Sequence, residues 1–502
     1  MLNEFIKCIE KFPERNAFCI NGTYYKYSQF AKIISGLKDK ISALTDPSIQ
    51  TIGVTSFDDI ETYASFYAAL FAGKTFVPID PSNPIDRNSL MINLAEIKVI
   101  LTSRIDDDVM KMSKEFPWIK LINTKGIQSS AIELDVPDSK PEDTAYILFT
   151  SGSTGIPKAV PLSYKNVNSF IDAFLALGYN LDENDRCLQS SDLLFDLSTM
   201  SYMVPLIKGA CVYTVPEEGI RYANIYKILT EDEITFALMV PSVLNYLRPF
   251  FNDINLEKMR YSLFCGEALY ADLITEWMEC VPNALIQNVY GPTEATNFCL
   301  TYNWHKNKSE NKIFNGVICI GKPMENMEAV VIDENYNLLP IGEKGELCLA
   351  GFQLTSGYLK NPEKNDNAFF HFRNDGIDRI FYKTGDIAYQ DDEGDFFYCG
   401  RKDYQIKIHG YRIELGEIEF HARKFVSPAN VAAVSYQNEA GLTKIHLFVE
   451  QLNGNNEKLA EYLKTKIPPY MQPYKISSME CLPLNSNGKV DRKILLNYIK
   501  DK

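Results

Sequence analysis

The sequence lacks features that mark secreted, membrane and metal-bound proteins. One of its longest uncharged apolar runs, Ile234 to Leu247, is interrupted by Pro241 and falls short of the roughly 20 residues that span a bilayer. The first eight residues carry charges where a signal peptide needs an apolar run. The eleven cysteines include no C-x-x-C pair, which argues against a zinc site and a disulfide framework. The sequence therefore predicts a cytoplasmic protein with mostly buried thiols and no membrane insertion.

Positive charge is also scarce. The net charge of −14 argues against nucleic acid as a partner. The excess of negative charge is unevenly distributed along the chain. Residues 403–502 hold 14 basic and 11 acidic side chains, whereas the rest of the chain holds 37 basic and 54 acidic ones. A slightly basic tail segment suits a lid over a nucleotide or docking to an acidic partner, and chance asymmetry explains it equally well.

A chain of 502 residues is too long for one ordinary core, so two or three domains are expected. Strand and helix patterns alternate over the first hundred residues, which predicts an α/β fold with parallel-rich sheets and helices on their faces. Residues 103–140 look irregular, and residues 312–400 predict a small β subdomain. The predicted domains are residues 1–402, a large body, and residues 403–502, a small α+β domain.

A run of small residues follows a predicted buried strand, Tyr146 to Phe149. The run consists of Thr150, Ser151, Gly152, Ser153, Thr154 and Gly155, and Lys158 comes soon after. Six small residues cannot fill a core, but they can bring backbone N–H groups and hydroxyls close to an anion, as a phosphate-binding loop must. The spacing does not fit the Walker A motif. A flexible Ser/Gly turn is the alternative.

Asp196 is the second candidate, because it lies inside the apolar run Leu193 to Met200. An acid in such a run is costly unless it has a positive partner. Two explanations remain open on the residues alone. Asp196 either caps a helix that starts at Leu197, or it is the counter-ion of a substrate ammonium.

The segment 288–296 and a later aspartate carry side chains suited to a nucleotide. Asn288 can pair with a purine edge, and Tyr290 offers a stacking face. Thr293 can bind a phosphate or a carboxylate, and Glu294 is a hard oxygen ligand suited to Mg²⁺. Asp386, directly after a glycine turn, can accept hydrogen bonds from ribose hydroxyls.

These segments resemble the motifs of the adenylate-forming superfamily, which contains acyl-CoA synthetases, luciferases and the adenylation domains of nonribosomal peptide synthetases. Its motifs occur in order from about residue 25 to residue 493. The last one, Asn487 to Lys493, matches the family's catalytic-lysine segment and marks Lys489, which by composition alone would be an ordinary solvated lysine.

The resemblance implies roles for individual residues. It assigns catalysis to Thr293, Glu294 and Lys489, with Glu294 as the metal ligand and Asp403 as a hinge residue. It implies that ATP is bound by the loop 150–155 and by Lys158, Gly266, Glu267, Asn288, Tyr290, Asp386, Arg401 and Lys489. It places the substrate against Asp196, Met200, Cys265, Asn297 and Lys489.

Within the superfamily the chain resembles stand-alone amino-acid adenylation enzymes, above all D-alanine:D-alanyl carrier protein ligases. The implied function is ATP- and Mg²⁺-dependent activation of D-alanine or another small amino acid to an aminoacyl-AMP. The acyl group then passes to the phosphopantetheine thiol of a separate carrier protein, since only 13 residues follow Lys489. Asn297 and Phe298 stand where the D-alanine enzymes carry small apolar residues, and Ala159 stands where glycine is usual.

Three alternatives remain. The chain could be an adenylation enzyme of peptide synthesis for a different amino acid, or an acyl- or aryl-CoA ligase, which has no ammonium for Asp196 to pair with. It could also be a nucleotide-binding scaffold without turnover, which the complete set of motif residues argues against.

Overall fold

The structure is a computed structural model that describes residues 1–44, 46, 48–152, 155–305, 309–374, 376–426, 429–452, 454–484 and 490–500. The helices found there are α1 (Leu2–Lys11), α2 (Tyr27–Leu44), α3 (Ile60–Phe71), α4 (Ile85–Leu94), α5 (Asp107–Glu115), α6 (Tyr164–Ala176), α7 (Asp196–Leu206), α8 (Arg221–Glu231), α9 (Pro241–Leu247), α10 (Ala271–Cys280), α11 (Pro362–Ala368), α12 (Leu415–Val426), α13 (Asn456–Lys464) and α14 (Arg492–Lys500).

The strands are β1 (Asn16–Ile20), β2 (Thr23–Lys26), β3 (Thr51–Thr55), β4 (Thr75–Ile79), β5 (Val99–Thr102), β6 (Lys120–Asn123), β7 (Thr144–Thr150), β8 (Lys158–Ser163), β9 (Arg186–Gln189), β10 (Cys211–Thr214), β11 (Phe236–Met239), β12 (Tyr261–Phe264), β13 (Leu285–Tyr290), β14 (Leu300–Trp304), β15 (Ile313–Phe314), β16 (Val317–Ile318), β17 (Lys322–Pro323), β18 (Met327–Ile332), β19 (Gly345–Gly351), β20 (Phe369–Asn374), β21 (Ile377–Gln390), β22 (Phe396–Arg401), β23 (Gln405–Ile408), β24 (Tyr411–Glu414), β25 (Val431–Gln437), β26 (Thr443–Glu450) and β27 (Lys475–Met479).

The chain forms two compact units. The first comprises Met1–Pro81, Ile92–Phe149 and Ala159–Lys402, and the second comprises Ser82–Met91, Thr150–Lys158 and Asp403–Lys502. The second unit thus contains the small-residue loop and a short earlier segment as well as the C-terminal residues. The predicted division into functional domains 1–402 and 403–502 stays a prediction.

Two sheets with a parallel centre dominate the first unit. One has six strands in the order β6-β5-β3-β4-β7-β8, and the other has nine in the order β17-β14-β13-β12-β11-β9-β10-β1-β2. Strands β5 and β11 are buried along their whole length, as expected of parallel strands covered on both faces. The predicted α/β class is confirmed, and the carboxyl ends of β12 and β13 lead into the predicted site segments.

A third sheet of the first unit is antiparallel. It has the order β18-β19-β21-β20, and β22 pairs with β21. This sheet agrees with the β subdomain predicted for residues 312–400, with its regular strands between Met327 and Arg401.

The second unit has its own core. The hairpin β23–β24 turns at His409 and Gly410, both with positive φ. Helices α12 and α13 pack over the sheet β25-β26-β27 through buried side chains that include Ile418, Leu447, Leu459 and Leu463. The buried side of α12 carries Leu415, Ile418 and Ala422 at helical spacing, together with the buried glutamates Glu417 and Glu419.

The expectation of an irregular segment at 103–140 is wrong in its first half. Helix α5 begins after Asp106, whose side chain accepts a hydrogen bond from the Val109 N–H, and β6 pairs with β5. The aspartate cap and the acids of the first turn were the local signal. Because this segment is mostly polar, its sequence did not predict either element.

Candidate active site

Asp386 lies at the centre of the predicted ribose-binding region. It faces Arg401 across the antiparallel pair β21–β22, and the Arg401 Nη1 lies 2.6 Å from its Oδ1. The Tyr290 hydroxyl donates to the other carboxylate oxygen. Burial and the nearby Asp386 charge raise the pKa of Tyr290 well above its ordinary value, so the phenol keeps the hydrogen that it donates. Three predicted residues are therefore brought together, and both carboxylate oxygens have donors.

Asn288 is also buried, on β13, but its amide is engaged with the backbone. Its Nδ2 donates to the carbonyl oxygens of Ile318 at 3.2 Å and Cys319 at 2.9 Å. A two-point pairing with a purine edge would have to break one of these bonds, whereas the amide oxygen could still accept from a ligand. The assignment of Asn288 to adenine stays a prediction.

Glu294 lies in the single 3₁₀ turn Thr293–Ala295 that follows β13. Its side chain is fully buried, and Oε1 accepts a hydrogen bond of 2.7 Å from the Tyr358 hydroxyl. Thr296 and Asn297 come next and both have left-handed φ angles, 56° and 69°. A β-branched residue is strained in that conformation, and such strain is concentrated at functional sites.

A single buried carboxylate suits Mg²⁺, which keeps waters and binds substrate phosphates alongside one or two protein oxygens. Within the described residues no group of three or more His, Cys, Asp or Glu side chains is placed to hold a metal. The assignment of Glu294 as the residue that would hold the ion together with a nucleotide stays a prediction.

Asp196 is the first residue of α7 rather than its cap, which is Phe195. The carboxylate is 8% exposed and accepts a hydrogen bond from the Leu197 N–H. A negative charge in the first turn of a helix is favoured by the helix dipole. The helix-start explanation and the ammonium explanation are therefore compatible.

Thr199 joins Asp196 to the other end of the predicted substrate region. Its hydroxyl donates to the Asp196 carbonyl oxygen at 2.7 Å, and the Asn297 Nδ2 lies 3.3 Å from its Oγ1. The Tyr146 hydroxyl lies 3.4 Å from the same oxygen. Sequence reasoning missed Thr199 and Tyr146, although Thr199 lies three residues after Asp196 on one helix face.

The remaining residues predicted to bind the substrate or adenine lie mostly just after the carboxyl end of β12. Cys265 and Gly266 follow β12, with Cys265 and Met200 buried in the same core cluster. Gly266 has a positive φ of 93°. The next side chain, Glu267, accepts a hydrogen bond of 2.8 Å from the Ser242 N–H at the start of α9. This bond holds the Glu267 carboxylate at a helix N-terminus.

The phosphate-loop candidate belongs to the second unit, and its described part already binds an anion. The Gly152 N–H donates to the Glu417 Oε2 at 3.2 Å, and the Ser151 hydroxyl donates to the Arg412 carbonyl oxygen at 2.7 Å. A Cβ on Gly152 would collide with the carbonyl oxygen of Ile156, so only glycine fits there. The Lys158 ammonium lies 3.9 Å from the Glu414 carboxylate.

Glu417 is held from its other side by Arg87, whose Nη1 lies 2.6 Å from Oε1. Burial raises the pKa of Glu417, because it outweighs the stabilisation of the charge by Arg87 and the Gly152 N–H. The loop N–H thus donates to a carboxylate oxygen, and a phosphate oxygen would accept the same hydrogen bond.

Several predicted residues lie outside the described part of the chain or await a test. Ser153, Thr154 and Lys489 fall outside the described residues. Asp403, the predicted hinge, accepts a hydrogen bond from the Gln405 N–H at 3.1 Å.

None of the helices that the structure describes is long and apolar enough to cross a membrane.

Residues 5–359 match the AMP-binding enzyme family, so the chain belongs to that family. The predicted membership of the adenylate-forming superfamily is confirmed. A similar solved structure is the adenylation domain AlmE of Vibrio cholerae in complex with glycyl-adenosine-5'-phosphate. It is 26% identical, with a TM-score of 0.86 over 100% of this chain and 97% of that one.

Two curated proteins illustrate the similarity to known enzymes. The chain is 30% identical to tyrocidine synthase 1 of Brevibacillus parabrevis over 97% of its own length and 44% of that protein's. It is 28% identical to a D-alanine--D-alanyl carrier protein ligase of Lactiplantibacillus plantarum over 99% of both chains. The chain spans less than half the length of the first curated relatives it matches.

Proposed function

We propose that this protein is an AMP-forming ligase that activates an amino acid with ATP and passes the aminoacyl group to the thiol of a carrier protein. The observation that carries the proposal is the buried Asp196 carboxylate at the start of α7. The backbone carbonyl oxygen of Asp196 accepts from the Thr199 hydroxyl, which the Asn297 amide contacts in turn. The carboxylate already accepts from the Leu197 N–H, and a substrate ammonium would form a charge-assisted hydrogen bond with it. A plain fatty or aromatic acid offers no such cation.

The relatives support the same proposal. A carrier protein ligase aligns over 99% of both chains, and an adenylation domain with an aminoacyl adenylate shares the fold closely. The carrier protein ligase supports a carrier protein as the acceptor. We propose that the accepting thiol belongs to the phosphopantetheine group of a separate carrier. D-alanine or another small amino acid is the substrate expected from them.

In the first step an oxygen of the substrate carboxylate attacks the α-phosphorus of ATP, a new P–O bond forms, and pyrophosphate leaves. Two anions must meet, so the site has to balance negative charge. The Gly152 N–H would bind a phosphate oxygen in place of Glu417, and Asp386, held by Arg401, would accept the ribose hydroxyls. Mg²⁺ on Glu294 supplies further charge neutralisation when bound.

In the second step a thiol sulfur attacks the carbonyl carbon of the aminoacyl-AMP. The C–O bond to phosphate breaks, AMP leaves, and the thiol proton passes to solvent or to a nearby base. No covalent intermediate with the enzyme is required in either step. Orientation and electrostatics are the means of catalysis.

Pyrophosphate exchange tests the proposal. A panel of D- and L-amino acids should support exchange, whereas fatty and aromatic acids should not. Asp196→Ala should raise the KM for the amino acid far more than the dissociation constant for ATP. Equal losses in both would show that Asp196 is structural, and exchange with fatty or aromatic acids alone would favour a CoA ligase.

Lys489 is proposed as the cation that bridges the substrate carboxylate and the α-phosphate. Lys489→Ala should lower the rate of adenylate formation by about 10²–10³-fold, the loss expected on deleting a key transition-state donor. Lys493→Ala, at an exposed lysine four residues later, is the matched control and should leave the rate nearly unchanged. Undiminished exchange in Lys489→Ala would overturn this role.

A further inference from the structure

Three buried polar side chains of the first unit meet at the predicted substrate region. Tyr146 comes from β7, Thr199 from α7, and Asn297 from the segment after Glu294, and each is at most 2% exposed. The Thr199 Oγ1 is their common point, at 3.4 Å from the Tyr146 hydroxyl and 3.3 Å from the Asn297 Nδ2. The chemistry of the three groups determines which of them donates each hydrogen.

Thr199 has one hydroxyl hydrogen, and it is given to the Asp196 carbonyl oxygen at 2.7 Å. Its Oγ1 can therefore only accept hydrogens from other neighbours. Tyr146 keeps its phenolic hydrogen, because burial and the Asp196 charge raise its pKa, and so it is a donor here. The Asn297 amide must likewise present its NH₂ group, since its oxygen would face another oxygen that has no hydrogen left to give.

This orientation leaves the Asn297 Oδ1 directed away from Thr199. Among the residues that the structure describes, this oxygen is buried and has no hydrogen-bond partner. A buried acceptor without a donor costs free energy. Asn297 is also held in a left-handed conformation, and the neighbouring Phe298 packs edge-on against Phe170 with centroids 5.1 Å apart. The amide is thus fixed in an unfavourable state that a ligand could relieve.

We propose that the side chain of the activated amino acid carries a hydrogen-bond donor, a hydroxyl or a primary amide, that donates to the Asn297 Oδ1. This inference rests on the proposed function. The Asp196 carboxylate remains the partner of the substrate ammonium, because a full negative charge binds a cation more strongly than a neutral amide does. Serine, threonine, asparagine or glutamine would fit this description. The methyl group of alanine would not, so this inference departs from D-alanine and selects another amino acid within the proposed function.

Isosteric pairs test the inference on the unmodified protein. Threonine is compared with valine, serine with 2-aminobutyrate, and asparagine with leucine, as both enantiomers, by kcat/KM in pyrophosphate exchange. The donor-bearing member of at least one pair should be preferred by about 10²-fold or more, because a site that hydrogen-bonds a substrate hydroxyl can reject its isostere by up to about 10⁴–10⁵-fold. Ratios near one in every pair would overturn the inference.

Two variants assign the preference to Asn297. Asn297→Leu removes the acceptor with little change in shape, and Asn297→Gly removes it while accepting the left-handed backbone. In both variants the preference should fall to within a few-fold, while ATP binding measured directly stays unchanged. The control Asn326→Leu, at an exposed asparagine with a φ of 63°, should keep the full preference. An undiminished preference in the two Asn297 variants, or an equal loss for alanine and for the donor-bearing substrates, would overturn the inference.

The two proposals fail in different ways. If no amino acid supports exchange, the proposed function and this inference fall together. If alanine, valine and 2-aminobutyrate support exchange as well as their polar counterparts, amino-acid activation stands and the inference alone is wrong.

Discussion

Two arginine–carboxylate pairs with little exposure, one in each unit, differ in how the carboxylate is held. In the first unit Arg401 binds Asp386 at 2.6 Å, and in the second unit Arg87 binds Glu417 at 2.6 Å. The second oxygen of Asp386 takes a hydrogen from the Tyr290 phenol, whereas that of Glu417 takes one from the Gly152 N–H. Asp386 is thus held entirely by side chains, and Glu417 is held partly by the loop proposed to bind phosphate.

Under the proposed function, this difference gives the two carboxylates different roles toward a nucleotide. Asp386 has a fixed position, so it is suited to receive ribose hydroxyls without moving. Glu417 engages an N–H group that a phosphate oxygen would need, so the Gly152 N–H can serve only one of the two at a time. Substitutions at the two pairs should therefore differ in their effect on stability and nucleotide binding.

The largest effect is expected at Asp386. Asp386→Ala leaves the Arg401 guanidinium buried without this partner, and breaking such a pair costs about 3–5 kcal/mol of the free energy of unfolding. Under the proposed function the variant should also lose ATP affinity. Urea unfolding and direct ATP binding measure the two losses.

Asp378→Ala is the matched control for Asp386, because it lies on the same strand and its pair with His371 is exposed. It should cost no more than about 1 kcal/mol, as exposed ion pairs do. Equal losses in the two variants would show that the Asp386 pair has no special contribution.

A somewhat smaller effect is expected at Arg87. Arg87→Ala leaves Glu417 buried, but burial already raises the pKa of Glu417, so the carboxyl group can take up a proton and reduce the cost. The loss should therefore fall below that of Asp386→Ala, at about 2–4 kcal/mol, and should shrink as the pH is lowered. Urea unfolding at several pH values measures it.

Lys466→Ala is the control for Arg87. Lys466 pairs with Asp86 at 2.5 Å in the same unit, and the Asp86 side chain is 61% exposed. This variant should lose little stability and show no comparable pH dependence. An Arg87→Ala loss that stays constant with pH would contradict the protonation argument.

The third effect separates the two partners of Asp386. Tyr290→Phe removes the phenol hydrogen bond and leaves the Arg401 pair in place, so it should cost about 1.5–3 kcal/mol, the range for hydrogen bonds to charged groups. Tyr474→Phe, at an exposed ring, should cost almost nothing. A Tyr290→Phe loss as large as that of Asp386→Ala would mean that Arg401 contributes little.

The same comparison explains what the sequence could predict. Asp386 and Arg401 are 15 residues apart on neighbouring antiparallel strands, and each belongs to a motif of its own. Arg87 and Glu417 are 330 residues apart, and neither lies in a pattern that names the other. Thr199 and Tyr146 were missed for the same reason, since their meeting with Asn297 depends on how three elements pack. Motifs predicted the fold class and the site segments, and tertiary packing decided the partners.

The smallest effect is the pH dependence of the Glu417 contribution. Because the pKa of Glu417 is raised in the folded protein from its ordinary value of 4.5, the folded state holds this proton more tightly than the unfolded state. Its contribution to stability is fully present below pH 4.5 and is lost as the pH rises through the folded pKa. Glu417→Gln has no such proton, so the wild type should lose stability relative to this variant as the pH rises from 4.5.

Unfolding free energies of the two proteins at matched pH values measure the difference, with Glu439→Gln at an exposed position as control. A difference that moves in the opposite direction would mean that Arg87 and the Gly152 N–H outweigh burial, which would make the second pair resemble the first.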